Sequence, residues 1–479
     1  MKKLKIYIIA IILIVSTAQV IGSSGVDEKT ISTLFGPSTT TQTTTSADEI
    51  TQNMRKLELL YRLVNRDFLF DIDHKNVYEE MAKGLFEGLE DEYSAYIVSK
   101  ESSDFSEDTL GTYGGIGAYI SKNYLNYRDF SKPETYMINI TSVFPGSPAE
   151  SAGLLSGDLV SHVDGEPVDD LEADQASKAL KGEAGTVVTL TIRRGDITFD
   201  VKVTRKNVQV PTVSSSVIDK DIGYLQITQF TESTANQVIE KLRNINFDSL
   251  SSLIIDLRNN PGGIVDATLR IADMILDDGK IVQVHSKNAK SDKVYVASEV
   301  TLIPTDMPIV LLVNGGSASS SEILAGALKD NKRATLIGTT TFGKGLIQVV
   351  SPYEDGFYTL TWSQYKTPNG DDIHKVGIPV DIEIEGMKVD EENMESYLEF
   401  INSGAAETFA KENPNGSDED YMNFIEQYAP KDSPLDDLVY KIVLRREYLK
   451  EIPFEQRPLA DVDYDIVLKR AVDFIKTGK

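Results

Sequence analysis

The 479-residue chain has no cysteine, one tryptophan and four histidines. Without cysteine there can be no disulfide framework, thiolate zinc site, iron–sulfur cluster or cysteine nucleophile. The histidines stand at 74, 162, 285 and 374, scattered and without HExxH-type spacing, so no metal site and no cofactor is expected. Positive charge is scarce too: 48 Lys and Arg against 74 Asp and Glu leave a net charge of −26, which repels phosphate backbones and argues against nucleic acid as a general partner. What is present is ordinary for a globular chain, 41% hydrophobic and 25% charged residues. At about 150 residues per domain, about three domains are expected.

The first 24 residues read as a signal peptide or membrane anchor, because Met1–Lys5 carries three lysines ahead of the apolar run Ile6–Val15 and the small residues Ser16, Thr17 and Ala18. Lys5, Ser16, Thr17 and Gln19 make it a poor match to the ~20 apolar residues of a membrane span, and cleavage and anchoring both stay open. Either way the rest of the chain is expected outside the cytoplasm, secreted or attached to the membrane through its N-terminus. Residues 25–47, with the GPSTTTQTTTS tract at 36–46, read as a polar linker.

Region 48–110 is expected to be helical. Ile50, Met54, Leu57, Tyr61, Val64 and Phe68 form one helical stripe, and Val77, Met81, Leu85 and Leu89 a second. The stripes either pack internally, the commoner outcome for such faces, or form a homodimer surface. Residues 111–207 change to short β-like runs broken by Gly and Pro: Gly114–Ile120, Tyr136–Val143, the helical Ala173–Leu180, then strands at 187–193 and 198–204. This order resembles a PDZ domain, in which the amides of the Gly114, Gly115, Ile116 and Gly117 loop would receive a chain-terminal carboxylate beside an edge strand that accepts the peptide.

Residues 208–386 alternate as an α/β layer. The LIIDL strand at 253–257 runs into Arg258–Gly263 and a helix, and PIVLLV at 308–313 runs into Asn314–Glu322 and a helix, so both Gly-rich turns belong at one sheet edge, where sites of such folds collect. Ser319 sits where strand hands over to helix, near unpaired amides that favour developing negative charge, a seat that suits a nucleophile or an ordinary N-cap. Lys344, between Gly343 and Gly345 and beside Phe342, Leu346 and Ile347, is a candidate base. An ordinary lysine is neutral in only about one molecule in 2,500 at pH 7, so burial would have to lower its pKa by about 3 units or more. Gly338–Lys344 also matches seven positions of a phosphate-binding P-loop, but Gly345 replaces the Ser or Thr that holds magnesium, and the following residues read as extended. Nucleotide binding is therefore not expected.

NGGSASSSEILAGAL at 314–328, GTTTFGKGLIQ at 338–348, DLRNNPGG at 256–263 and the upstream PDZ-like order together resemble the carboxyl-terminal processing, or tail-specific, proteases, PDZ-containing serine peptidases. The resemblance covers about residues 48–386. It implies an α/β multidomain chain: a crotonase-like protease core at 208–386, an inserted PDZ-like β domain, and flanking helical regions at 48–110 and 387–479. It implies Ser319 as nucleophile, Lys344 as base 25 residues later and Gln348 as the residue orienting that lysine, with Gly262, Gly263 and Ser320 supplying backbone amides to an oxyanion. The implied activity is cleavage of proteins or peptides recognised by their free C-terminus. Position 320 is Ser where the family usually has Ala, so several hydroxyls crowd the site, and the 25-residue spacing to Lys344 is what selects Ser319. A catalytically inactive membrane-proximal PDZ scaffold, and an acyl-thioester enzyme of the related crotonase fold, are the competing readings; the intact Ser319, Lys344 and Gln348 oppose the first and the PDZ-like domain and export signal the second.

Overall fold

The computed structural model describes residues 47–98, 111–123, 128–354, 356–429, 433–452 and 456–478; the segment expected to direct export or anchoring lies outside them. No described helix is long and apolar enough to cross a membrane.

The central sheet runs in the spatial order Val213–Ile218, Ile222–Ile227, Ser252–Asp256, Ile309–Val313, Thr335–Gly338, Ile382–Glu383. Its first pair is antiparallel and the others are parallel. The parallel strands are continuous apolar runs because both faces are covered. Leu253, Ile255, Leu311 and Leu336 point to one side, against the helices Thr234–Asn244, Val265–Ile275 and Ser320–Asp330. Ile254, Val310, Leu312 and Ile337 point to the other, where Val467, Leu468, Ala471 and Val472 of the C-terminal helix Ile466–Thr477 cover them. The last helix of the chain thus closes the core of a domain that ends, in the sequence pattern, some 80 residues earlier.

One partly buried network fixes that helix. Arg258 donates to both Asp465 oxygens at 2.9 and 2.7 Å and to Asp256, which also accepts from the Tyr224 hydroxyl at 2.7 Å. Asp465 caps the helix by accepting from the amides of Val467 and Leu468. Burial works against the Asp465 carboxylate, but the Arg258 guanidinium holds it below the ordinary range. Asp465→Ala removes the cap and half of Arg258's carboxylate partners together and is expected to cost about 2–4 kcal/mol, read as a lowered urea midpoint. An unchanged midpoint would mean the helix contributes little to the core.

A second, antiparallel sheet carries Lys280–Ser286, Lys293–Val296, Leu346–Tyr353 and Gly356–Lys366, with Ala95–Ile97 added to the edge of Gly356–Lys366 through the register Ala95 to Thr359. The stretch expected to be helical at 48–110 therefore also contributes a strand, Ala95–Ile97, to the protease sheet. The PDZ-like sheet, Ala118–Ser121, Ile138–Val143, Leu159–Val163, Val187–Arg194 and Ile197–Thr204 in spatial order, has its own core around Ile138, Ile140, Leu190 and Ile192. It lies in sequence between two strands of the core, which is the inserted arrangement expected. Four further helices, Met394–Asn402, Ala405–Glu412, Asp418–Tyr428 and Asp437–Lys450, pack around Phe409, Phe424 and Leu444.

The N-terminal helix Ala47–Asp67 differs from the commoner expectation of internal packing, whereas His74–Glu87 follows it in part, with Val77 and Met81 half-buried and Phe86 stacked on Tyr358. Ile50, Met54, Leu57, Val64 and Phe68 are exposed along the first, as is Leu85 on the second. Helical periodicity states that a face is apolar without stating what covers it.

Candidate active site

Three crossings meet at one edge of the central sheet. Strands Ser252–Asp256, Ile309–Val313 and Thr335–Gly338 run parallel and in register, so their following turns emerge side by side. The first turn carries Arg258–Gly263, the second Asn314–Ser319, and the third leads through Lys344 into the second sheet. Asn259 and Asn314 join the first two: the Asn259 amide donates to Asn314 Oδ1 at 2.9 Å and Asn314 Nδ2 donates to Asn259 Oδ1 at 3.0 Å.

The crowded hydroxyls separate cleanly. Ser317 Oγ donates to the Leu257 carbonyl at 2.7 Å, Ser320 Oγ to the Gly263 carbonyl at 2.8 Å and Ser321 Oγ to the Asn260 carbonyl at 2.8 Å. Those three hold the two turns together. Ser319 Oγ is fully buried and has no hydrogen-bond partner among the described residues. It stands at the N-terminus of helix Ser320–Asp330, whose dipole favours an anion there. Its backbone sits at φ 55 and ψ −115, a conformation a serine rarely adopts and one that costs of order 1–3 kcal/mol.

Two side chains that the sequence reading did not single out hold that conformation and fasten Ser319 to Lys344. Glu322 Oε2 accepts from the amides of Ser319 and Lys344, both at 2.8 Å, while Oε1 accepts from the Gly343 amide and Thr341 Oγ1, both at 2.6 Å. From the other side, the buried Tyr365 hydroxyl is shared between the carbonyls of Ser319 and Lys344. Burial pushes the Glu322 carboxyl up, against its four donors, and raises the Tyr365 phenol well above its usual value, which keeps it a donor.

Lys344 is 4% exposed. Burial is the main influence and lowers its amine to about 8, although Glu92, Asp91 and Glu322 favour the charged form. Compared with an ordinary lysine, the neutral fraction at pH 7 rises from about one in 2,500 to about one in ten. The Tyr93 ring lies over the amine with its centroid 4.4 Å from Nζ. Gln348 is fully buried in the adjoining strand; its Nε2 donates to Thr361 Oγ1 at 3.3 Å, and its Oε1 has no donor among the described residues, so the expected contact between Gln348 and the lysine amine is not formed through that oxygen here.

The Gly262–Gly263 turn presses against the serine. A Cβ on Gly262 would lie 2.8 Å from Ser319 Cβ and 2.9 Å from the Ser320 nitrogen, and its φ of +105° also demands glycine. The three expected oxyanion amides are not equivalent. That of Gly262 is taken by Asn260 Oδ1 at 2.9 Å, which corrects its assignment as a free donor. Those of Gly263 and Ser320 have no acceptor among the described residues.

In the PDZ-like domain, Gly114 and Gly115 end the strand Thr112–Gly115, paired with Lys206–Gln209, and Ile116 enters the core. The loop's carbonyls are used internally: Gly114 accepts from Gly182, Ile116 from Ala149 and Gly117 from Phe144. The amides of Ile116 and Gly117 have no acceptor among the described residues. The following strand Ala118–Ser121 pairs on one side only, with Ile138–Val143, leaving an open edge among the described residues. Free amides beside an open strand edge are the two features that capture a peptide terminus.

Glu322 could have been suspected from its place three residues after an N-cap serine, an ordinary capping pattern. Tyr365 and Tyr93 carry no local signal, since each reaches its partner only through strand pairing.

Comparison with known proteins places the fold in a family. Peptidase family S41 matches residues 221–384 and a PDZ domain matches residues 140–194. A "probable CtpA-like serine protease" of Staphylococcus haemolyticus (strain JCSC1435) is 34% identical over 334 residues, which is 70% of this chain and 65% of the relative, so the chain spans just under two thirds of that relative's length. A carboxy-terminal-processing protease of Bartonella bacilliformis is 33% identical over 350 residues, 72% of this chain and 77% of the relative. Among solved structures, a photosystem II D1 C-terminal processing protease is 27% identical with a TM-score of 0.42, over 70% of this chain and 86% of that one. The chain belongs to peptidase family S41, among the carboxy-terminal-processing serine proteases that carry a PDZ domain.

Proposed function

We propose that the protein is a serine endopeptidase that takes polypeptides by their free C-terminus and cleaves them with a Ser319–Lys344 dyad. The observation that carries this reading is that Ser319 Oγ alone among the hydroxyls of Ser317–Ser321 has no partner among the described residues, while Glu322 and Tyr365 tie its backbone to that of a buried lysine whose charge is disfavoured. In the reacting complex Ser319 Oγ turns to the Lys344 amine, gives it a proton and attacks the peptide carbonyl. The tetrahedral oxyanion is met by the amides of Gly263 and Ser320 at the helix N-terminus. Lys344 then protonates the leaving amine as the C–N bond breaks, leaving an ester on Ser319. It next removes a proton from water, which attacks the ester, and returns that proton to Ser319 Oγ.

The substrate's terminal carboxylate is assigned to the amides of Ile116 and Gly117, with Gly114 and Gly115 shaping the approach, and the residues before it to the open edge of Ala118–Ser121. Gly114 has no room for a side chain, since a Cβ would lie 2.3 Å from the Gly182 carbonyl. Protease core 208–386, PDZ domain 111–207 and the helical flanks at 48–110 and 387–479 are the working units. The basic start and apolar run of the first 15 residues are assigned to export, and the exposed stripes of the N-terminal helices to packing against a second copy.

Two otherwise identical peptides, one ending in a free carboxylate and one amidated, test the recognition. Amidation is expected to lower kcat/KM about 10- to 100-fold, the value of a charge-assisted hydrogen bond or two. Equal cleavage would remove tail recognition. Ser320→Ala, which gives up only the bond to Gly263, is expected to keep activity within about tenfold of the parent, and Ser319→Ala to lose it. The reverse result would reassign the nucleophile.

A further inference from the structure

The segment leading out of the N-terminal helices enters the protease core before the chain reaches the PDZ domain. Ser94 Oγ donates to Asp91 Oδ2 at 2.5 Å, which closes a turn, and accepts from the Thr361 amide at 2.9 Å. Thr359 Oγ1 donates to the Tyr93 carbonyl and accepts from the Ala95 amide, both at 3.0 Å. The turn is thereby pinned on both sides of Tyr93. The strand that pins it, Gly356–Lys366, also carries Tyr365, which binds the carbonyls of Ser319 and Lys344.

We propose that Tyr93 is a positioning residue, a roof that excludes water from the Lys344 amine and makes the N-terminal segment part of the active site. The proposal rests on the reading of Ser319 and Lys344 as nucleophile and base. The ring acts in two opposed senses: its π face attracts an ammonium, while its bulk removes the water an ammonium needs. The charged groups that act on the amine are Asp91 and Glu92 on the roof segment and Glu322 behind Ser319; nearby, the neutral Tyr365 phenol donates to the Lys344 carbonyl and His374 packs against Gly345. The three carboxylates favour the charged form, yet burial prevails and brings the amine to about 8. With its centroid 4.4 Å from Nζ, the Tyr93 ring is part of the wall that keeps water from the amine, and water exclusion is the sense the proposal assigns to it. Burial and Glu92 push the Tyr93 phenol itself up to about 12, so it stays neutral and does not compete for the proton.

The test is the pH dependence of kcat/KM for peptide cleavage by the full chain. In the parent, activity rises to a plateau with a limb near pH 8. Tyr93→Ala is expected to move that limb up by at least one unit, lowering kcat/KM at pH 7 about tenfold or more while recovering most of it near pH 10. Tyr93→Phe keeps the ring and is expected to retain the parent limb. Should Tyr93→Ala fail to fold, Tyr93→Gln, which keeps bulk but brings water with it, carries the same expectation. A parent limb near 8 that these variants leave in place, with a loss equal at every pH or no loss, overturns the roof alone. A parent profile with no limb near 8 overturns the dyad reading and the roof with it.

Discussion

Lys344→Met is expected to abolish peptide cleavage, by at least about 10⁴-fold in kcat, in a protein as stable as the parent or more so. The two halves of this outcome have one cause. Below about pH 8 the folded protein carries a buried ammonium, and between that value and the ordinary lysine value of 10.5 the unfolded chain binds more protons than the folded one. Stability therefore rises with pH across that window, and below it the charged amine costs the fold a constant amount of about 3 kcal/mol. Methionine fills the same space without charge and removes that cost, but it cannot take the Ser319 proton. Urea unfolding at pH 7 beside a peptide-cleavage assay measures both. A variant that lost stability along with activity would show the amine to be a structural ion-pair partner.

Glu322→Gln carries the second large effect. The carboxylate accepts from three backbone amides and one hydroxyl, and its oxygens are each used twice. A carboxamide offers one oxygen, and its NH₂ group must then face at least one amide donor, whichever way it is turned. Leaving buried donors unmet costs about 1–3 kcal/mol each, so a loss of about 2–4 kcal/mol is expected. The strained backbone of Ser319 also loses one of its two restraints, and kcat is expected to fall about 100-fold or more as nucleophile and base drift apart. Thermal unfolding and kcat on a full-length peptide read the two effects. A variant within tenfold of the parent would mean that Tyr365 alone sets the geometry.

The sequence was most informative where chemistry and periodicity are local. The LIIDL and PIVLLV runs announce parallel strands covered on both faces, and the Gly-rich turns after them announce the sheet edge where Ser319 stands. The Lys344 loop was legible because an extended run follows it where a nucleotide-binding loop would need a helix, and Leu346–Tyr353 is a strand. What stayed hidden depends on contacts between distant residues. Nothing in Asp91–Ile97 says that Ala95–Ile97 pairs with Phe357–Thr359, 260 to 264 positions away, or that this pairing sets Tyr93 over the lysine. The Gly262 amide looked as available as that of Gly263 until the Asn260 side chain was seen to claim it. The apolar stripe of the first helix was visible in the sequence, yet Ile50, Met54, Leu57, Val64 and Phe68 are exposed rather than packed internally, the commoner fate of such faces.

The dyad is tested most directly by the rate at which Ser319 Oγ reacts with a small fluorophosphonate, followed from pH 6 to pH 10 in the full chain. This reaction needs the activated oxygen and neither the PDZ domain nor a peptide. In the parent the rate is expected to rise about tenfold per pH unit and level off above about pH 8, with the adduct found on Ser319 by peptide mass analysis. In Lys344→Met it is expected to fall below about 1% of the parent at pH 9 and to lose that limb. Labelling as fast in Lys344→Met as in the parent, or an adduct on Ser320 or Ser321, would contradict the account.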